Sequence, residues 1–145
     1  MRSSPTPGHL EALSWCERSL APIRSDIIYV SRSRFSPSIS RHTLKGSFAG
    51  ELLFEKMLSS KGVKVIYPES LPLETQLNYY KGASVIIFAE GSAQHCLELL
   101  GPDSSKLIFI ICRREQTAGM NLPILSRFPN TEFLPIETFL PTNTF

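Results

Sequence analysis

Charged side chains and hydroxyl groups follow four apolar runs of this sequence, at the point where each run ends. In chain order they are Arg32 and Arg34, Glu69, Glu90 with Gly91 and Ser92, and Arg113. Guanidinium groups bind phosphate oxygens through paired hydrogen bonds, and carboxylates accept hydrogen bonds from sugar hydroxyls. The set therefore indicates a site for a phosphorylated sugar ligand, although strand ends that meet solvent are polar in any α/β protein.

The turn Gly91-Ser92-Ala93 adds a second feature that suits a phosphate. Glycine and alanine let backbone N–H groups approach a ligand, and a helix that begins here favours an anion at its N-terminus. Ser92 is also a good N-cap residue, and capping alone would explain it. His95 in the first turn of this helix and Glu98, two turns after Glu90, are further candidates, although surface positions would explain both.

Motifs for other kinds of site are not present in the sequence. No Gly-x-Ser-x-Gly motif surrounds Ser92, and no dinucleotide-binding or P-loop glycine motif occurs. The cysteines and histidines lack metal-ligand spacing, so we expect no metal and no cofactor. The net charge of +2 does not favour nucleic acid as a partner. An odd number of cysteines without a signal peptide predicts a cytoplasmic protein, and no apolar run reaches the ~20 residues of a membrane span.

The four apolar runs have the near-continuous hydrophobicity of strands that are covered on both faces. They are Asp26–Arg32, Lys64–Glu69, Ser84–Glu90 and Lys106–Arg113, with a fifth strand expected at Thr131–Ile136. Helical spacing of apolar residues occurs over His9–Leu20, Gly46–Lys61, Leu73–Lys81 and Ser92–Leu100. Strands that alternate with helices predict a mainly parallel sheet in a three-layer, Rossmann-like α/β fold.

The 145 residues predict one folded domain, since 42% of them are hydrophobic and 19% are charged. We expect an N-terminal tail and short helix over 1–25, the Rossmann-like domain over 26–140 and a C-terminal tail over 141–145. Ligands of such sheets bind outside the carboxyl ends of the strands. The polar residues that follow the apolar runs should therefore meet at one edge of the sheet.

The order and spacing of several short motifs resemble glycosyltransferase family 61, in particular its bacterial capsular-polysaccharide type. The motifs are Ile28-Tyr29-Val30-Ser31-Arg32, Gly50-Glu51-Leu52, Val65-Ile66-Tyr67-Pro68-Glu69, Leu73-Glu74-Thr75-Gln76 and the stretch from Ala83 to His95. The resemblance extends from about Leu10 to about Phe139. It departs from the family pattern at Gly50, where the family usually has asparagine.

The resemblance implies the C-terminal lobe of a two-lobed GT-B glycosyltransferase, which holds a nucleotide sugar while its sugar is transferred to a glycan acceptor. It places Arg32 at the donor phosphates and Gly91-Ser92-Ala93 in the nucleotide pocket. Glu69 and Glu90 would contact the base, the ribose or sugar hydroxyls. Because the chain begins about where that lobe begins, we expect either a truncated product or an acceptor lobe supplied by a separate chain or a homo-oligomer.

Two other functions fit the same residues. One is a non-catalytic nucleotide- or sugar-binding Rossmann module, including a degenerate remnant of an enzyme. The other is a GT-B-like transferase of another group, such as a pyruvyl transferase. Binding of nucleoside diphosphates to the protein would be the most informative single observation.

Overall fold

A computed structural model of the protein describes residues 6–34, 48, 50–112 and 122–136. Five strands in these ranges form one sheet, and all neighbouring strands are parallel. They are β1 (Ser25–Val30), β2 (Lys64–Ile66), β3 (Ala83–Ala89), β4 (Leu107–Cys112) and β5 (Thr131–Pro135). The predicted parallel sheet is confirmed, including its fifth strand.

The strand order is β2-β1-β3-β4-β5, so β1 lies between β2 and β3. The chain first adds β2 on one side of β1 and then places every later strand on the other side. Val30 at the end of β1 pairs with Ile66 of β2 and with Phe88 of β3, so the three carboxyl ends are nearly level. In sheets of this order a crevice opens between β1 and β3, where the direction of strand addition reverses.

Helices cover both faces of the sheet and complete the three predicted layers. They are α1 (Pro7–Ser19), α2 (Glu51–Ser60), α3 (Leu73–Gly82) and α4 (Leu122–Arg127), with 3₁₀ helices at Pro68–Ser70 and Ser92–Leu99. On one face, Leu77 and Tyr80 of α3 join a core with Phe88 of β3, and the rings of Tyr80 and Phe88 meet edge to face at 5.4 Å. On the other face, α2 packs Phe54 and Leu58 near Tyr29.

Helix α2 presents a different side to the sheet than its apolar residues suggest. Leu52, Leu53 and Met57 are 65%, 64% and 53% exposed, whereas Glu51 and Glu55 are 1% and 7% exposed. Two carboxylates can face the interior here because hydroxyl groups of β1 and of the segment after β2 lie against them. Buried charges persist in proteins when they are hydrogen-bonded in this way.

Helix α1 is attached at the amino edge of the sheet, opposite the crevice. The Glu17 carboxylate accepts a hydrogen bond from the Gly101 N–H at 3.0 Å, and Lys81 Nζ donates to the Leu20 carbonyl at 3.4 Å. Leu13 and Leu20 are buried beside these contacts. Across the described ranges, α1 and the other helices are too short or too polar to cross a membrane.

Candidate functional site

A cavity of about 310 Å³ opens at the carboxyl ends of β1 and β3. Its walls come from four segments: the end of β1, the first 3₁₀ helix, the start of α3 and the second 3₁₀ helix. The residues that line it are Ser31, Arg32, Pro68, Glu69, Leu73, Gln76, Ser92, Ala93 and Cys96. The cavity thus occupies the crevice that the strand order creates.

The structure brings together four of the residues that the sequence singles out: Arg32, Glu69, Ser92 and Ala93 all line the cavity. Five other candidates do not line it, namely Arg34, Glu90, Gly91, His95 and Glu98. Arg113 lies outside the described residues. The cavity therefore combines one guanidinium, one carboxylate and the beginning of a helix.

The Arg32 side chain reaches from the end of β1 across to the end of β3. Its terminal nitrogen NH1 donates to the Glu90 carbonyl at 3.4 Å. The guanidinium lies directly over Gly91, because a Cβ atom on Gly91 would stand 1.4 Å from Arg32 NH1. Gly91 has an extended backbone with φ of 168°, which any residue can adopt. A side chain at this position would displace the guanidinium, so glycine keeps the space over residue 91 open for it.

The helix that follows β3 begins one residue earlier than a Ser92 N-cap would require. Gly91 is the N-cap, and its N–H donates to Gln94 Oε1 at 3.3 Å while the Gln94 N–H donates to the Gly91 carbonyl at 3.2 Å. Ser92 is exposed as the first residue of the helix. The first N–H groups of a helix have no partner within it. This applies to the amides of Ser92 and Ala93, and both residues line the cavity.

Three of the candidate side chains make contacts outside the cavity lining. His95 Nδ1 lies 3.3 Å from Glu98 Oε1, and both side chains are partly exposed on the second 3₁₀ helix. The Arg34 guanidinium lies over the ring of Tyr67, 3.8 Å from its centre. These contacts account for the positions of His95, Glu98 and Arg34 without a ligand.

A buried polar network behind the cavity was not anticipated from the sequence. Glu51 Oε1 accepts hydrogen bonds from the Tyr29 hydroxyl at 2.7 Å and from the Arg32 N–H at 2.9 Å. The Ser31 hydroxyl lies between the two carboxylates, in contact with Glu51 and with Glu55. The i, i+4 spacing of the glutamates on one side of α2 was the available sequence signal.

The network affects the tyrosines that donate to it. Burial and the adjacent Glu51 carboxylate raise the pKa of Tyr29 above its usual range. Burial and the hydrogen bond to Glu55, which is 3.0 Å long, raise the pKa of Tyr67. Both hydroxyls therefore stay protonated and donate to carboxylates under ordinary conditions.

Gln76 and Cys96 are lining residues that sequence reasoning did not propose for the site. Gln76 Nε2 donates to the carbonyls of Pro68 and Leu71 at 2.8 and 2.9 Å, which fixes the turn between the first 3₁₀ helix and α3. Cys96 is a free, half-buried thiol, and burial raises its pKa. Within the described ranges, no group of three or more His, Cys, Asp or Glu side chains converges as metal ligands.

Comparison with known proteins identifies a family. The family model described as Glycosyltransferase 61 matches residues 7–107, which is well over half of the chain. All nine residues that line the cavity fall within that range. No curated protein and no solved structure matches the chain.

Proposed function

Because this chain belongs to glycosyltransferase family 61, we propose that its cavity binds the nucleotide-sugar donor of a glycosyl transfer reaction. The proposal includes the bacterial capsular-polysaccharide type of the family and the C-terminal, donor-binding lobe of a GT-B enzyme. One observation carries it. Arg32 and the N-terminus of the helix Ser92–Leu99 line the same crevice between β1 and β3.

The donor diphosphate is assigned to the side of the cavity formed by Arg32 and Ser92-Ala93. A guanidinium binds phosphate oxygens in a bidentate manner, and free N–H groups at a helix N-terminus favour an anion. Arg32 and the two amides approach from neighbouring strands, β1 and β3, so one diphosphate can contact both. The remaining walls then face the nucleoside and the sugar.

Hydroxyl groups of the ligand are assigned to Glu69, the carboxylate among the lining residues. Glu69 is exposed on the first 3₁₀ helix, where it can accept hydrogen bonds from a ribose or a sugar. Pro68 and Leu73 offer an apolar surface on the same side of the cavity. A flat nucleobase packs well on such a surface, with polar groups left to fix its orientation.

In the proposed reaction, an acceptor hydroxyl forms a bond to the anomeric carbon and gives its proton to a base on the acceptor lobe, while the bond from that carbon to the diphosphate oxygen breaks. The departing nucleoside diphosphate gains negative charge. Arg32 and the amides of Ser92 and Ala93 are placed to stabilise that charge, which is the kind of electrostatic assistance that lowers such barriers most.

The proposed partners are a nucleotide sugar and a glycan acceptor, with the acceptor held by a separate N-terminal lobe or by a second copy of the chain. We place the protein in the cytoplasm. Support for that location comes from its three cysteines, Cys16, Cys96 and Cys112, which are all free thiols and suit a reducing compartment.

Thiol labelling provides a direct test of where a nucleotide binds. A thermal-shift screen of ADP, CDP, GDP, UDP and dTDP first selects the tightest ligand. Saturation with that nucleotide is expected to slow alkylation of Cys96 at least about five-fold, since the bound ligand covers the lining residue. The labelling is followed by mass spectrometry of peptides at about pH 8.5, because burial raises the pKa of Cys96.

Cys16 is the internal control for this experiment. It is partly buried on α1 and does not line the cavity, so its labelling rate should not change. Equal slowing of both cysteines would indicate general stabilisation rather than occupancy of the cavity. A ligand that raises the melting temperature but leaves Cys96 unprotected would contradict the proposed site.

Gly91→Ala is expected to weaken nucleotide binding about five-fold or more, because the new methyl group displaces the Arg32 guanidinium from its place over residue 91. The free energy of unfolding should change by less than about 1 kcal/mol, since the flexible end of the arginine can move aside. Titration calorimetry and a thermal melt measure the two quantities. In an Arg32→Ala background the same substitution should have no effect on affinity, and a persistent effect there would disprove the explanation.

A further inference from the structure

We propose that Glu51 is a positioning residue of the nucleotide site, because its carboxylate fixes the backbone from which Arg32 enters the cavity. The inference rests on the proposed function, since it matters to binding only if Arg32 contacts the donor phosphates. Glu51 is 1% exposed and does not line the cavity. It therefore acts through Arg32 and not by touching the ligand.

The Glu51 carboxylate supplies a hydrogen-bond acceptor at the point where the backbone N–H groups that follow β1 no longer bond to a neighbouring strand. The Ser31 N–H still donates to a strand neighbour, the Ile66 carbonyl, at 3.0 Å. The next N–H along the chain, that of Arg32, donates instead to Glu51 Oε1 at 2.9 Å. A hydrogen bond to a carboxylate is roughly twice as strong as one between neutral groups. Glu51 thus extends the fixed part of the chain by one residue, to the arginine itself.

Glu51 is itself held in place, which is what a positioning residue needs. The Tyr29 hydroxyl donates to the same oxygen at 2.7 Å from inside the sheet. The guanidinium at the other end of Arg32 occupies a narrow space between the Glu90 carbonyl and the backbone of Gly91. A shift of the Arg32 backbone would be carried directly to the guanidinium, and misplacement by about 1 Å is enough to impair a site.

Glu55 provides a matched control on the same helix. It lies one turn after Glu51, is 7% exposed and is also buried against hydroxyl groups. Its contacts are with Ser31 and Tyr67, not with the Arg32 N–H. Replacing either glutamate by glutamine removes the same charge from the same network, but only the change at Glu51 weakens the contact to Arg32.

The test is a double-mutant cycle in binding. Dissociation constants are measured by titration calorimetry for wild type, Glu51→Gln, Arg32→Ala and the double variant, using the nucleoside diphosphate selected by the thermal-shift screen. Glu51→Gln should weaken binding about five-fold in the wild-type background and less than about two-fold when Arg32 is already alanine. Glu55→Gln should change affinity less than about two-fold in both backgrounds. A role in folding alone would not produce this dependence on Arg32.

Three results would overturn the inference: equal weakening by Glu51→Gln in both backgrounds, no weakening in either, or the same coupling for Glu55→Gln. If Glu51→Gln does not fold, Glu51→Asp is used in the same cycle, since the shorter side chain withdraws the carboxylate from the Arg32 N–H. A failure of the proposed function is distinguishable, because Arg32→Ala would then bind nucleotide as well as wild type.

Discussion

Replacing Arg32 with alanine is expected to weaken binding of a nucleoside diphosphate about ten-fold or more, since a charge-assisted hydrogen bond contributes roughly 1.5–3 kcal/mol. Arg32 lines the cavity together with Ser92 and Ala93, and its guanidinium donates to the Glu90 carbonyl at the end of β3. Removing it leaves the diphosphate with the amides alone. Titration calorimetry at fixed ionic strength measures the effect, and Ser92→Ala should cost less because the backbone N–H groups stay.

Arg34→Ala is the matched control for this prediction. It removes the same charge two residues away, from a side chain that is exposed over the ring of Tyr67 and does not line the cavity. We expect its effect on affinity to be under about two-fold, since exposed charges are screened by salt. Equal losses in the two variants would point to a general effect of charge. Unchanged affinity of a folded Arg32→Ala protein would remove Arg32 from the site.

The architecture could be predicted because each strand carries its own signal. Runs of Ile, Val and Phe without alternation indicate strands that are covered on both faces, and the helical spacing between them implies parallel crossovers. The order of the strands has no such local signal. Arg32 and Ser92 nevertheless lie at the same edge of the sheet, as predicted, because β1 and β3 are neighbours and their carboxyl ends are level.

Side-chain partners on other elements explain what the sequence did not reveal. Apolar spacing in α2 predicts a helix correctly, but it does not show that Glu51 and Glu55 face the sheet while Leu52 and Leu53 are exposed. The donors that make this orientation favourable come from β1 and from Tyr67. A local partner also decides the turn after β3: Gln94, three residues beyond Gly91, accepts the Gly91 N–H at the turn that Ser92 was expected to cap.

The departure from the family pattern at Gly50 also has a structural explanation. Gly50 is the N-cap of α2 and has a left-handed backbone with φ of 84°. Glycine adopts this conformation without strain, and asparagine, the usual residue of the family here, is among the few others that tolerate it. The exchange therefore preserves the turn that brings Glu51 into the interior.

That buried position makes Glu51→Ala the substitution with the largest expected effect on folding. It removes the acceptor of the Tyr29 hydroxyl and of the Arg32 N–H, and the site is 1% exposed. Each buried donor left without a partner costs about 1–3 kcal/mol. We expect the free energy of unfolding to fall by about 3 kcal/mol, which lowers the melting temperature by about 10 °C. Denaturant and thermal unfolding measure the two quantities.

Glu69→Ala is the control that shows whether burial of the carboxylate causes the loss of stability, because it removes an exposed carboxylate from the cavity lining. Its free energy of unfolding should stay within about 0.5 kcal/mol of wild type, because surface substitutions leave no unpaired group behind. The free energy of unfolding of Tyr29→Phe should lie between those of Glu51→Ala and Glu69→Ala. The substitution removes one donor but leaves the Arg32 N–H bonded to Glu51. If Glu51→Ala melts within about 2 °C of wild type, water must satisfy both donors, and the network would then contribute little to stability. Loss of stability in that order would instead show that the Glu51 carboxylate holds α2 against β1 through its bonds to Tyr29 and to the Arg32 N–H.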